Sequence, residues 1–330
     1  MRVFITGAGG FIGRALAERY AAEGHEVRGC DLVADPDRGV VGGDVAGPGP
    51  WQEHAAGAEL VIHTAATVSF RVERPAEIWR ANVLGTANAL RAAERGGARR
   101  FVHFSSVTVF GFEFPDGVDE HHPVRNTFLP YPDSKIASEQ VVLQAHAEGR
   151  IQCTIVRPGD VYGPRSRAWA VIPAQLIADR RLTLPGRGRG IHSPVYIDNL
   201  VDGVLLAAVA PEAAGQVFTL SDGIGVPYRE FLAPYAKLVG RRLITLPTPV
   251  AIAGAAVMQR VARLSPGDNE INPGAARYLL RTGTYSITKA RRVLGWEPRV
   301  GLGDGLARTV AWLAEQGYAA PAGRRTQSTG

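Results

Sequence analysis

The stretch that decides the fold is Arg2-Val3-Phe4-Ile5-Thr6, followed directly by Gly7-Ala8-Gly9-Gly10-Phe11-Ile12-Gly13. An apolar run, a glycine turn and an amphipathic segment at residues 11–23 predict a strand, a tight turn and a helix. Gly7 can take the turn, Gly10 lets the backbone approach a pyrophosphate, and Gly13 lets helix and strand pack closely. Although the spacing is G-x-x-G-x-x-G rather than G-x-G-x-x-G, its position between strand and helix predicts a dinucleotide-binding site at the helix N-terminus.

Short apolar strands alternate with helical segments through the first half of the chain. Strands are predicted at residues 2–6, 26–31, 59–63, 99–105 and 151–157, and helices at 11–23, 75–95 and 134–148. Nearly continuous apolar strands separated by helices indicate a parallel sheet that is covered on both faces. The predicted fold class is therefore α/β, a doubly wound Rossmann sheet.

The alternation changes after Gly163, where two further strands are predicted at 195–197 and 217–220. Beyond them the chain is mostly helical, which indicates a smaller C-terminal lobe that binds the substrate. We expect a cofactor-binding domain of residues 1–164 plus about 194–220. The substrate-binding lobe then comprises about 165–193 and 221–318, and residues 319–330 are expected to form a disordered tail.

Composition limits the classes of partner. The 330 residues are 45% hydrophobic and 21% charged, which excludes wholesale disorder, and the formal net charge of +6 is spread along the chain. Dense basic blocks are absent, so a small-molecule substrate is expected and a nucleic-acid partner is not. Only three of the 37 basic residues are lysine, namely Lys135, Lys237 and Lys289.

Cysteine usage and the chain ends favour a cytoplasmic protein. Cys30 and Cys153 lie in apolar strand-like runs, which predicts buried free thiols rather than a disulfide or a metal site. The first strand begins at residue 2, which leaves no room for a signal peptide. The longest uncharged run, residues 243–259, is interrupted by Pro247 and Pro249, so we expect a cap or partner-facing segment without stable membrane insertion.

Asp31 predicts which dinucleotide is bound. It ends the second predicted strand, 18 residues beyond Gly13. A carboxylate there accepts hydrogen bonds from ribose hydroxyls and repels a 2′-phosphate, which favours NAD over NADP. Arg28 or Arg38 could still serve a phosphate, so NADP remains the less favoured alternative.

Tyr131 and Lys135 form the strongest catalytic pair. In Tyr131-Pro132-Asp133-Ser134-Lys135 the two residues share one face of a helix. Tyrosine has a pKa near 10, so general-base catalysis near pH 7 requires a pKa lowered by about 3 units. A neighbouring ammonium and a positively charged nicotinamide ring are the two charges that could lower it. Ser105 and Ser106 follow a predicted strand at the edge where such sheets bind ligands, and a hydroxyl there could hold a reacting oxygen.

Further motifs extend this pattern along the chain. They are Gly43-Asp44-Val45, His63-Thr64-Ala65-Ala66, Asn82-Val83-Leu84-Gly85-Thr86, Ser105-Ser106-x-x-Val109-Phe110-Gly111 and Arg157-Pro158-Gly159-Asp160-Val161-Tyr162-Gly163-Pro164. With the glycine turn, Asp31 and Tyr131-x-x-x-Lys135, they follow the order of motifs in the extended short-chain dehydrogenase/reductase family. The chain resembles that family from residue 2 to about 317.

The resemblance implies roles for individual residues. Tyr131 would be the catalytic acid/base, Lys135 would bind the nicotinamide ribose and depress the pKa of Tyr131, and Ser106 would hold the substrate oxygen. Asn82 would support the site. The implied cofactor-binding residues are Gly7, Gly10, Phe11, Ile12 and Gly13 at the pyrophosphate, Asp31 with Leu32 at the ribose, Asp44 and Val45 at the adenine, and His63, Ala65, Ala66, Ser105, Tyr131, Lys135, Pro158 and Val161 along the remainder.

Departures from the motifs of individual family branches reduce the number of reactions that fit this chain. Dehydratases carry Thr-Asp-Glu where this chain has Ser106-Val107-Thr108, so sugar dehydration is disfavoured. Sugar-nucleotide epimerases usually place Asn at Asp160 and Arg near His192. Asp160 adds a charge that repels a diphosphate, and His192 in place of Arg weakens the binding of that diphosphate. Arg165, Arg187 and Arg189 could compensate for both changes.

The C-terminal sequence favours another branch. The stretch Tyr285-Ser286-Ile287-Thr288-Lys289-Ala290-Arg291-Arg292-Val293-Leu294-Gly295-Trp296-Glu297-Pro298 resembles the 3β-hydroxysteroid dehydrogenase-like branch, as does the apolar stretch at 250–258. We therefore expect an NAD(P)-dependent oxidoreductase that interconverts a secondary alcohol and a ketone, with a bulky apolar substrate. A sugar-nucleotide epimerase with tightly bound NAD is the alternative, and a non-catalytic NAD(P) sensor the second alternative. The family resemblance also implies a homodimer.

Overall fold

A computed structural model describes residues 1–70, 72, 74–264 and 273–319. Its strands are β1 (Arg2–Thr6), β2 (Glu26–Asp31), β3 (Val40–Gly42), β4 (Leu60–His63), β5 (Arg100–Phe104), β6 (Gln152–Pro158), β7 (Asp160–Tyr162), β8 (Thr183–Leu184), β9 (Ile191–His192), β10 (Pro194–Tyr196), β11 (Val217–Leu220), β12 (Val226–Pro227) and β13 (Ile244–Thr245). Seven of them form a parallel sheet in the order β3-β2-β1-β4-β5-β6-β11. The chain crosses over between β3 and β4, so the strand order reverses between β1 and β4, where doubly wound sheets open a ligand crevice.

Helices cover both faces of this sheet. They are α1 (Phe11–Ala22), α2 (Pro75–Trp79), α3 (Gly85–Gly96), α4 (Pro130–Ala147), α5 (Ile172–Ala178), α6 (Ile197–Val209), α7 (Tyr228–Leu238), α8 (Thr248–Leu264), α9 (Pro273–Tyr278), α10 (Thr288–Leu294) and α11 (Leu302–Glu315). Successive side chains of a strand point to opposite faces, and the core follows that alternation. Ile5 and Ile62 pack in the cluster that holds α1 and α6, while Phe4 and Val61 pack in the cluster that holds α3 and α4.

The predicted fold class is confirmed, and so are the bounds of β1, β2 and β11. Helix α4 begins at Pro130, four residues before the predicted start, because proline suits the first helical position. The predicted helix at 75–95 is instead α2 and α3 joined by a π-helical segment, Arg80–Leu84. Strand β3 was not predicted, because three residues are too few for a periodic pattern.

The C-terminal half adds helices and three small sheets. The strand predicted at 195–197 is β10, which pairs with β7 rather than with the central sheet. The uncharged run at 243–259 lies in β13 and α8, whose Val250, Val257 and Met258 are exposed. Within the described ranges no helix has the length and hydropathy needed to span a membrane. The predicted tail lies outside the described residues from position 320 onward.

Both cysteines are free and buried, as predicted. Cys30 lies in β2 and Cys153 in β6. Burial raises the pKa of each thiol to about 12, which keeps it protonated and unreactive.

Candidate active site

The glycine turn between β1 and α1 has the geometry that the sequence predicts. Gly7 has φ of +73°, and the Gly10 amide donates to the Gly7 carbonyl at 3.0 Å. A Cβ built on Gly13 would lie 2.1 Å from that same carbonyl oxygen, so only glycine allows this approach. The N-terminus of α1 has neither a capping side chain nor an acidic residue in its first turn, where Phe11 and Ile12 lie. Its amides therefore suit a phosphate.

Asp31 is fixed beside this turn by two backbone amides. Its Oδ2 accepts from the Gly9 amide at 2.9 Å and its Oδ1 from the Leu32 amide at 2.7 Å. The Leu32 side chain is 74% exposed beyond the strand end. Arg28 is paired with Glu26 at 2.5 Å, which leaves it less suited to a 2′-phosphate.

The predicted adenine residues follow β3. The Asp44 carboxylate accepts from the Ala46 amide at 2.9 Å, and Val45 is buried against Gly85 at the start of α3. The carboxyl ends of β1, β2 and β3 thus bring together an uncapped helix N-terminus, the Asp31 carboxylate and an apolar surface at Val45. This donor set fits NAD.

Ser106, Tyr131 and Lys135 meet at the adjoining strand ends. Tyr131 and Lys135 are buried on one face of α4, and Tyr131 shares a side-chain hydrogen bond with Ser106. The Ser106 hydroxyl also accepts from the amide and the hydroxyl of Thr108, at 3.2 and 3.0 Å. Lys135 Nζ donates to the Phe104 carbonyl at 2.7 Å. The Ser106 hydroxyl and the Tyr131 phenol therefore lie together, and Lys135 is buried one helical turn beyond Tyr131 on α4.

The protonation of this site differs from the prediction. Burial raises the pKa of Tyr131 to about 12, the bond with Ser106 lowers it, and the charge of Asp160 raises it further. Burial lowers the pKa of Lys135 to about 8, against the attraction of Glu139. The protein's own groups thus keep the phenol protonated, and the expected lowering of the Tyr131 pKa by Lys135 is not found.

Asn82 lies in the π-helical segment and joins the loop after β4 to helix α4. Its Oδ1 accepts from the Thr67 amide at 2.8 Å, and its Nδ2 donates to the Thr67 carbonyl at 3.1 Å and to the Ser134 hydroxyl at 2.9 Å. Ser134 in turn donates to the Tyr131 carbonyl at 2.8 Å. Asn82 therefore supports the first turn of α4.

Two predicted cofactor residues direct their side chains into the core. The ring of His63 lies between the hydroxyls of Thr6 and Thr86, at 2.7 and 3.0 Å, and the Ser105 hydroxyl donates to Glu139 at 2.5 Å. Any contact of these two residues with a cofactor would come from the main chain. The remaining predicted cofactor residues lie at or beyond the carboxyl ends of central strands. Ala65 and Ala66 follow β4, Pro158 ends β6, and Val161 lies in β7 directly after β6.

The sequence led us to expect that the Asp160 charge repels a diphosphate, but in the structure this carboxylate is paired within the protein. Asp160 is buried with Arg281, which forms an ion pair with its carboxylate, and with Tyr278, whose hydroxyl donates to it. His192 Nδ1 lies 3.1 Å from the same carboxylate. Burial alone would raise the pKa of Asp160, but Arg281 and His192 hold it well below its usual range. The charge is therefore compensated inside the protein.

Three aromatic residues near Tyr131 were missed by sequence reasoning. The Phe70 ring lies 6.1 Å from Tyr131, 5.1 Å from Tyr278 and 6.2 Å from Phe112, between ring centroids. Phe112 lies 5.6 Å from Tyr278. These residues come from two loops and α9, and no local motif marks them.

A cleft of about 450 Å³ continues from this aromatic cluster. Phe112, Leu129 and Phe128 line it, together with Arg125 and Arg277. Phe128 is 87% exposed and has φ of +59°, a backbone conformation that is costly for a bulky residue. Phe128 therefore brings a strained, exposed aromatic side chain to this cleft, three residues before Tyr131.

Residues 3–220 match the model of the NAD dependent epimerase/dehydratase family. The 4-hydroxy-2-methyl-3-oxo-4-farnesyl-3,4-dihydroquinoline-1-oxide ketoreductase of Stigmatella aurantiaca is 33% identical, with 93% of this chain and 95% of the relative covered. The UDP-glucose 4-epimerase of Mycolicibacterium smegmatis is 30% identical, with 95% and 98% covered. The 3-beta-hydroxysteroid dehydrogenase of Mycolicibacterium neoaurum is 30% identical, with 90% and 87% covered.

A solved structure is similar over the whole fold. MoeE5 in complex with UDP-glucuronic acid and NAD superimposes with a TM-score of 0.78 at 25% identity, with 96% of this chain and 100% of that chain covered. The predictions of an enzyme and of NAD as its cofactor are thereby confirmed. The chain belongs to the NAD-dependent epimerase/dehydratase family of extended short-chain dehydrogenases/reductases.

Proposed function

We propose that the protein interconverts a secondary alcohol and a ketone whose carbon skeleton is bulky and apolar. The observation that carries this proposal is the aromatic cluster Phe70, Phe112 and Tyr278 beside Tyr131. Aromatic side chains next to a proton-transferring group favour an apolar substrate body. Two relatives support it, since their names describe a ketoreductase for a farnesylated compound and a steroid dehydrogenase.

Tyr131, Ser106 and Lys135 have separate roles in the proposed reaction. In reduction, the Tyr131 phenol gives its proton to the carbonyl oxygen, and in oxidation it takes the proton of the hydroxyl. Ser106 donates a hydrogen bond to the same oxygen and limits its movement. Lys135, anchored at the Phe104 carbonyl, would hold its positive charge on the same face of α4 as the phenol. The glycine turn, Asp31 and Asp44 would hold the dinucleotide, which would accept the hydride as NAD⁺ in oxidation and supply it as NADH in reduction.

The Asp160–Arg281 pair supports the same choice. A diphosphate needs unpaired cationic groups, and the Arg281 guanidinium is already bound to Asp160. The relative named UDP-glucose 4-epimerase supports sugar-nucleotide epimerisation as the second candidate. A non-catalytic sensor is disfavoured, because it has no need of Ser106, Tyr131 and Lys135 in one site.

We also propose that the chain is divided into a cofactor-binding part and a substrate-binding part. Residues 1–164 with about 194–220 would bind NAD, and about 165–193 with 221–318 would bind substrate. We also propose a homodimer in the cytoplasm. Size-exclusion chromatography with light scattering tests the dimer, since a monomeric mass would contradict it.

The function is tested by following NADH absorbance with a series of secondary alcohols of increasing apolar size, in parallel with UDP-glucose. We expect net NADH formation, with kcat/KM rising as the apolar body grows. Conversion of UDP-glucose into its C4 epimer without net NADH would overturn the proposal in favour of the epimerase.

A further inference from the structure

Glu139 continues the line of Tyr131 and Lys135 along α4. The three residues are spaced four apart, so they lie on one face of the helix. Glu139 is 1% exposed. A buried carboxylate one helical turn beyond a buried ammonium is costly unless both are compensated. Its contacts therefore require an explanation.

Two residues bind Glu139 from neighbouring strands. Arg157 donates from Nε to Oε1 at 2.8 Å and from Nη2 to Oε2 at 2.7 Å, which is a two-point ion pair. Ser105 donates its hydroxyl to Oε1 at 2.5 Å. Ser105 immediately precedes Ser106, and Arg157 immediately precedes Pro158. This network joins α4, which carries Tyr131 and Lys135, to the segment that carries Ser106 and to β6.

The charges that face Lys135 show what Glu139 contributes. His63 of β4 and His103 of β5 both feel the Lys135 charge, and their rings lie 5.6 Å apart. Burial lowers the pKa of both histidines below the usual value, so both rings are neutral at pH 7. Tyr131 is protonated, and Asp160 acts on Tyr131. Among these described neighbours, Glu139 supplies the negative charge that acts on Lys135.

We propose that Glu139, held by Ser105 and Arg157 one helical turn beyond Lys135, is a positioning residue that keeps the buried Lys135 charged. This role rests on the proposed function of Ser106, Tyr131 and Lys135. A purely structural ion pair would also be buried and would also destabilise the fold when broken. Only the charge-supporting role predicts a change in the protonation of Lys135.

The three lysines of the chain make that protonation measurable. With ¹³C-labelled lysine the spectrum holds three side-chain signals, and the Lys135→Met variant identifies one of them. We expect Lys135 to titrate at about pH 8 in the parent protein and at least about one unit lower in Glu139→Gln. The falling limb of the pH–rate profile should move by the same amount, with kcat reduced at least tenfold and KM little changed.

Glu94→Gln is the matched control, because Glu94 pairs with Arg150 at 2.6 Å on the protein surface. Its Lys135 titration should equal that of the parent. If Glu139→Gln does not fold, the double variant Glu139→Gln/Arg157→Met removes both buried charges and should show the same shift. An unchanged Lys135 titration in either folded variant would overturn the proposal. Since the titration needs no substrate, this outcome is distinct from a failure of the proposed oxidoreductase activity.

Discussion

The two sides of Tyr131 differ in chemistry. On the side of Lys135 lie the Phe104 carbonyl, an ammonium and the Glu139–Arg157 pair. On the other side lie Phe70 and the rings around it. The polar side would serve the reaction that all substrates share, whereas the aromatic side would decide which substrate enters.

Each side contains a buried ion pair between arginine and a carboxylate. Glu139 and Arg157 are 18 residues apart and join α4 to the central sheet. Asp160 and Arg281 are 121 residues apart and join β7 to the C-terminal lobe. The first pair lies one helical turn beyond Lys135, while the second fixes Tyr278 through a hydrogen bond and a guanidinium 3.9 Å from its ring centroid. Variants on the two sides should therefore fail in different ways.

The largest effect is expected at Tyr131 itself. Tyr131→Phe keeps the ring among its aromatic neighbours but removes the hydroxyl that we propose as the proton-transferring group. We expect kcat to fall by about 10²–10⁴-fold for every substrate, with NAD affinity within a factor of about two. Steady-state kinetics and a fluorescence titration with NADH measure the two quantities. Turnover close to that of the parent would refute the role of the phenol.

Breaking the Asp160–Arg281 pair should mainly affect stability. Arg281→Met leaves a buried carboxylate without its cation, which costs about 3–5 kcal/mol in the free energy of unfolding. Urea denaturation measures the loss, and Asp160→Asn/Arg281→Met should recover most of it. Arg99→Met, at an exposed pair with Glu59, is the control, with a loss below about 1 kcal/mol. Equal losses at the two sites would contradict the account.

The pH dependence follows from the protonation of the polar side. With its pKa raised to about 12, Tyr131 is protonated at neutral pH and ready to donate in reduction. Oxidation needs the deprotonated form, so its rate should rise by up to about tenfold per pH unit. The rise should end near pH 8, where Lys135 loses its charge. An oxidation rate that falls between about pH 6 and 8 would contradict these assignments.

The smallest effect is expected at the mouth of the cleft. Phe128→Ala removes apolar surface that we expect a large substrate to cover, which is worth about 1.5 kcal/mol or roughly tenfold in kcat/KM. A small alcohol that does not reach the cleft should be unaffected. Val209→Ala, at another exposed apolar residue on α6, should change neither substrate. Equal losses for the large and the small alcohol would rule out the selectivity role of Phe128.

The polar side could be predicted from the sequence, and the aromatic side could not. The glycine turn, Asp31 and Tyr131-x-x-x-Lys135 each lie within one strand, turn or helix, so their spacing determines their geometry. Asp160 meets Arg281 only through the tertiary fold, so the sequence led us to expect an uncompensated charge that repels a diphosphate. Phe70, Phe112 and Tyr278 lie in loops and a short helix without periodic pattern. The protonation of Tyr131 depends on burial, which spacing alone does not give.

The most direct test of the central claim is the transfer of deuterium from an apolar secondary alcohol, labelled at its carbinol carbon, to NAD. Mass spectrometry of the recovered cofactor should show one deuterium per ketone formed with the parent protein, and none above background with Tyr131→Phe. Unlabelled cofactor beside unchanged alcohol, together with epimerised sugar nucleotide in a parallel reaction, would contradict it.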